Sequence, residues 1–165
     1  MATVDPFSEA YDALFNALIE EHEIERRIVP RARVRFDGDK PNPIPEKVGV
    51  VDVPEVMLYP GACTYNLTHT SCNARVEQVF YLRIATHDLR LDRDLFPVKW
   101  AAVCALAKAS PTLGLDTVKK LDLISSADRY DDEEANRGTL GWSTVMSIRV
   151  TMFIPRSRLT NVRGG

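Results

Sequence analysis

The stretch CTYNLTHTSCNARVEQVFYLRI, Cys63 to Ile84, decides the fold, because it reads either as a metal loop or as the middle of a sheet. It holds two of the three cysteines and one of the three histidines, at C-x5-H-x2-C spacing. Cys63, Tyr65, Leu67 and His69 alternate with Thr64, Asn66, Thr68 and Thr70, the period of a strand. Ser71, Cys72, Asn73 and Ala74 have turn chemistry. From Arg75 a second strand places Val76, Phe80, Leu82 and Ile84 on one face and Val79, Tyr81 and Arg83 on the other. The stretch therefore predicts a long β-hairpin. Cys63 and His69 would share a face yet lie about 20 Å apart, at roughly 3.3 Å per residue. Only His69 and Cys72 come close, and two ligands do not make a structural zinc site. No metal or cofactor is expected here.

Upstream, Asp5 is placed to cap a helix and Pro6 sits at its first position, where a missing N–H costs nothing. Phe7, Tyr11, Leu14, Phe15, Leu18 and Ile19 follow at helical spacing and predict a core-facing stripe. RIVPRARVRF (Arg27–Phe36) predicts a short strand entered past Pro30. Residues 37–54 carry Pro41, Pro43, Pro45 and Pro54 with Gly38 and Gly49, which exclude a continuous helix or a central strand. This predicts a long proline-rich loop, either a solvated linker or an arm that orders against a neighbour. EVMLYPG predicts a short strand stopped by Pro60-Gly61.

Downstream, a second helix is expected from near Asp94, rich in alanine and ending before Pro111 and Gly114. Cys104 lies inside it as a small hydrophobe. A strand is expected around Lys119–Ser126, followed by the acidic connector ADRYDDEEANRG as a solvated tip. GWSTVMSIRVTMFI then alternates for its whole length, with Trp142, Met146, Ile148, Val150, Met152 and Ile154 on one face. Pro155 should end it, leaving residues 156–165 as a mobile basic tail. The expected class is α+β: a mainly antiparallel sheet with two principal helices on one face, in a single domain over residues 1–165.

The chain has 165 residues, 45% hydrophobic and 27% charged, with a net charge of −2. That balance is globular and creates no global field toward nucleic acid or an anionic membrane. No stretch approaches the roughly 20 apolar residues that span a bilayer. The first residues lack the basic start and apolar run of a signal peptide. An odd cysteine count predicts free thiols in a reducing compartment, and makes the sequon Asn66-Leu67-Thr68 incidental. No phosphate-cradling glycine motif, G-x-S-x-G, H-E-x-x-H or C-x-x-C occurs. His22 sits on the acidic helix beside Glu21 and Glu23. His87-Asp88 could form half of an acid–base pair. A small enzyme or ligand-binding domain would most simply use the sheet face around Tyr65, His69 and Tyr81.

The order of elements carries a resemblance. An amphipathic helix at Asp5–Glu25 precedes the proline-rich loop, then VPEVMLYPGA, the hairpin, the alanine-rich helix, and a long strand opening on RGTLGW and ending in FIPRSRL. This resembles the tail terminator (tail-completion) and neck proteins of long-tailed bacteriophages over roughly residues 5–158. The resemblance implies a non-enzymatic virion subunit, assembled in the host cytoplasm into a hexameric ring. Such a ring caps the tail tube and meets the head connector. A closed ring uses a heterologous interface, one patch meeting a different one on the next subunit. Opposite charges suit it: Asp131, Asp132, Glu133 and Glu134 against Arg31, Arg33 and Arg35 or the tail residues Arg156 and Arg158, with Lys40 and Lys47 of the loop as further contacts.

Overall fold

A four-stranded antiparallel sheet forms the body of the protein in a computed structural model that describes residues 5–28, 35–37, 40–42, 55–85, 95–131 and 141–160. Its strands are β3 (Glu55–Asn66), β4 (Asn73–Ala85), β5 (Val118–Asp131) and β6 (Gly141–Pro155), in spatial order β3-β4-β6-β5. The two strands whose sequences alternate most cleanly lie at the centre. On β4, buried and half-buried residues alternate along the whole strand. On β6, Thr144, Met146, Ile148, Val150, Met152 and Ile154 are all buried. A strand with one face in the core and one face out must alternate in this way.

Two helices cover the apolar face. In α1 (Pro6–Ile19), Ala10, Leu14 and Leu18 are buried; in α3 (Phe96–Ala109), Val98, Ala101, Ala102, Ala105 and Leu106 are. These side chains join Val56, Leu58, Val76, Phe80, Leu82, Ile84 and the inner residues of β6 in one hydrophobic cluster. The two-layer α+β architecture expected from the sequence is present. The short helix α2 (His22–Glu25) adds Ile24 to that core. Tyr11 fixes α1 to the sheet, since its hydroxyl donates to the Leu58 carbonyl at 2.9 Å and its ring lies 6.0 Å from Phe80.

The start of α1 follows its sequence signals. Asp5 is the N-cap, its carboxylate accepts from the Ser8 N–H at 2.7 Å, and Pro6 opens the first turn. That bond, followed by other hydrogen bonds from Ser8 and neighbouring amides, outweighs slight burial and holds the Asp5 carboxyl below its ordinary value of 3.8. A depressed carboxyl contributes stability above its unfolded pKa and loses it as pH falls through the folded one. Asp5→Ala should thus cost about 0.5–2 kcal/mol at neutral pH. In chemical denaturation, its gap from the parent should close as pH drops below that of an ordinary aspartate. Asp5→Asn should keep most of the stability at both ends.

Four expectations change on contact with the structure. First, Pro60-Gly61 does not stop the strand: β3 runs straight through, and its pairing with β4 shifts register between Pro60 and Cys63. Proline is tolerable because β3 is an edge strand and needs no outward N–H. The bulge frees backbone carbonyls, and the buried Gln78 amide donates to Gly61 O at 3.1 Å and to Val79 O at 2.7 Å. Gly61 also lets the Tyr81 ring lie on the backbone, since an added Cβ would sit 2.2 Å from Tyr81 Cε2.

Second, β5 extends beyond Ser126 through Asp131, so the first five residues expected in the acidic connector are strand, paired as far as Asp131 with Gly141. Cross-strand pairing to the strongly alternating β6 overrides the weak strand preference of Ala-Asp-Arg. Third, the segment expected as a loop from residue 37 begins with strand. Two short strands, β1 (Arg35–Asp37) and β2 (Lys40–Asn42), pair antiparallel. Of Arg27–Phe36, Ile28 forms a parallel bridge to Val56, and Arg35 and Phe36 belong to β1. Residues 43–54 lie outside the described residues.

Fourth, the tail begins as a helix rather than a free arm. Helix α4 (Arg156–Thr160) follows β6 directly. The Arg156 guanidinium donates to Leu67 O at 3.1 Å and Thr70 O at 3.3 Å, and its N–H donates to Cys72 O at 2.9 Å. Arg158 pairs with Glu9 of α1 at 3.2 Å. The basic residues were legible, but their partners are distant in sequence and could be found only in the fold.

Candidate assembly surfaces

The hairpin turn contains two of the residues first suspected of chemistry, His69 and Cys72. Thr70 organises it: its Oγ1 accepts from Asn73 N at 2.9 Å and Cys72 N at 3.3 Å, while its own N–H donates to Asn73 O. His69 sits in this turn with its ring 5.3 Å from Phe153. Cys63 lies half-buried against the core and Cys72 is exposed; all three cysteines are free. Among the described residues no three His, Cys, Asp or Glu side chains lie together in a metal-holding group. No helix among them is long and apolar enough to cross a membrane.

Tyr65, His69 and Tyr81 do not share a face. The register pairs Tyr65 with Val76, which points into the core, and the Tyr65 ring meets Phe7 of α1 edge-on at 6.5 Å. Tyr81 pairs with Tyr59 on the opposite, open face, their rings 5.5 Å apart. The bulge at Pro60–Cys63 causes this, because one extra residue turns every later side chain of β3 to the other side. A recess of about 230 Å³ beside the open face is lined by Thr64, Asn66, Arg75 and Glu77. Its two charges are joined to each other, Arg75 to Glu77 at 2.6 Å. It falls below the roughly 300–1,000 Å³ of a typical small-molecule site.

The open face of the sheet is a field of paired charges. Arg149 and Lys120 both lie 3.4 Å from the Asp122 carboxylate. At the β5 end of the helix layer, Lys99 of α3 donates to Asp128 at 2.9 and 3.0 Å. Partial burial is the largest single influence on Asp128 and raises its pKa, but the hydrogen bond and charge of Lys99 together with Thr144 outweigh it and leave the carboxyl below its ordinary value. Such pairs fix orientation and contribute little net stability where water reaches them.

Besides Leu123 and Ile124 on β5 and Leu159 on α4, large apolar side chains are exposed in two other places. Phe96 and Trp100 are four residues apart on the outer side of α3, and Trp100 is 68% exposed. Residues at that spacing share a face. The second place is the end of the hairpin, where Tyr65 is 59% exposed and Leu67 is also exposed. α1 lies over β3 and β4, through Tyr11, Leu58 and Phe80, whereas α3 reaches β5 through Lys99 and Asp128. The two patches therefore sit on opposite flanks. Periodicity on α3 gives the first; the second was hidden inside a strand pattern, where alternation alone cannot distinguish core from rim.

The charged interface candidates divide between described and undescribed residues. Asp131 ends β5, Arg35 opens β1 and Lys40 opens β2. Arg156 and Arg158 are tied within the chain, as above. Asp132, Glu133, Glu134, Arg31, Arg33 and Lys47, like His87 and Asp88, lie outside the described residues. No protein-family model matches the chain, and no curated protein matches it.

Proposed function

We propose that this chain is a structural subunit of a closed ring of the phage tail-terminator or neck type, which caps a tail tube and meets the head connector. The observation that carries the reading is the pair of unlike apolar patches on opposite flanks, Phe96 with Trp100 and Tyr65 with Leu67. A heterologous contact needs two different patches on two sides of one subunit, and repetition of that contact gives a ring where its rotation closes and an open filament where it does not. Solvent-exposed Trp and Tyr are the side chains that most often anchor such contacts. The acidic residues 131–134 and the basic residues 31–35 would add steering of opposite sign.

Light scattering on the purified chain tests this directly. A discrete closed oligomer near six subunits is the expected result, and Trp100→Glu should shift it to smaller species. Joint replacement of Asp132 and Glu133 by Lys should weaken assembly, more at low salt than at high, because salt screens exposed charges. A chain that stays monomeric at every concentration, or open stacks that lengthen with concentration, would overturn the ring.

A further inference from the structure

We infer that β5 is a two-fold docking edge, which pairs antiparallel with β5 of a second copy of this chain. β5 hydrogen-bonds to β6 on one side, and among the described residues nothing pairs with its other side. Leu123 to Arg129 are exposed without interruption, Leu123 and Ile124 included. A long strand edge with apolar residues at its middle is a template for another strand. The opposite edge, β3, is a poorer one. Arg27 O already takes the Val56 N–H, Ile28 bridges to Val56, and Pro60 and the adjacent bulge interrupt it.

The occupant follows from the charge order along the strand. β5 reads Lys119, Lys120, Asp122 in its first half and Asp128, Arg129, Asp131 in its second. Its register with β6 places Lys120, Asp122, Ser125, Ala127 and Arg129 on the open face, and Leu121, Leu123, Ser126 and Asp128 on the helix side, with Ile124 unpaired in a bulge. Two copies of one sheet join continuously only when residues opposite each other share a face. Antiparallel registers centred on Ser125, Ser126 or Ala127 all meet that demand, and the charges choose the one centred on Ser126. It sets Asp122 opposite Arg129 of the second copy and Leu123-Ile124 opposite Asp128, whereas centring on Ser125 would set Arg129 opposite Lys120. Ser125 then faces Ala127 and Ser126 faces its own copy on the axis. Asp122 and Arg129 then meet twice across the axis, two ion pairs per two-fold. β3, with Glu55 as its one charged residue, offers no such match.

The pairing goes beyond the ring and is independent of it. The ring closes on α3 and the hairpin end, whereas a two-fold at β5 joins single copies or whole rings in pairs.

Ser126→Cys tests the axis. Opposed Cα atoms of an antiparallel pair are about 4.5–5.5 Å apart, inside the span a disulfide bridges. Mild oxidation should therefore convert Ser126→Cys to a covalent dimer. Ser125→Cys should cross-link no more than the parent with its three native thiols, because its copy lies about 8 Å away, two residues further along. Charge exchange tests the register. Asp122→Arg and Arg129→Asp alone should each raise the dimer dissociation constant by about 10-fold or more, as like charges then face each other. The double variant should return to near the parent value. Equal cross-linking at 125 and 126, or a double variant no tighter than the singles, would overturn the pairing. A closed ring whose Ser126→Cys form stays uncross-linked would overturn it as well, while leaving the ring intact.

Discussion

Phe80→Ala should lower the unfolding free energy by about 3–5 kcal/mol, the largest loss expected from any single truncation in this chain. Phe80 lies at the middle of β4, is 2% exposed, and faces Tyr11 across the layer boundary. Truncation removes transfer free energy and leaves a hole that two packed layers cannot close, because the sheet is held by β3 on one side of Phe80 and β6 on the other. It also removes the ring against which Tyr11 orients its hydroxyl toward Leu58 O. Denaturant titration followed by circular dichroism would read the shift as a lower midpoint with an unchanged slope. A loss under about 1 kcal/mol would mean that α1 does not close over this part of the sheet.

The second large effect should come from adding volume. Ala102→Leu should destabilise by about 1–3 kcal/mol, although leucine is a good helix former. Ala102 is fully buried, between Ala101 and Ala105 on the α3 face that joins the core cluster with Leu14 and Leu18 of α1. Small residues there set how close the two helices and the sheet approach, and three extra carbons have nowhere to go in an interior packed at crystal-like density. Ala107→Leu, on the exposed side of the same helix, serves as the control and should be near neutral. If the two variants behaved alike in thermal unfolding, the tight seat of α3 would be refuted.

How much of this was readable in advance depends on whether the deciding interaction was local. The cap of α1 was, because Asp5, Pro6 and Ser8 lie within one turn. So were the two central strands, since alternation on β4 and β6 records a core on one side of each. Gln78 shows the limit. It occupies a core-facing position between Val76 and Phe80, and a polar residue there is a visible signal. Its purpose depends on a bulge in a different strand, 16 and 17 residues earlier. The candidate surfaces were less legible still. Trp100 was visible within a helical pattern, but its exposure depends on which face of α3 meets the sheet. The free edge of β5 depends on the strand order, and no local pattern encodes that order.

By itself, then, the sequence determined where chain periodicity is two and where it is 3.6, which residues cap and break, and that apolar faces exist to be buried in two layers. Those properties arise from neighbours a few residues apart. The tertiary structure alone decided that β3 continues through Pro60-Gly61, that β5 runs on to Asp131 along β6, that Arg156 and Arg158 return to the hairpin turn and α1, and that β3 and β5 are the edges. Each of these depends on groups tens of residues away competing for the same hydrogen bonds and the same buried area, and only the packed chain resolves that competition.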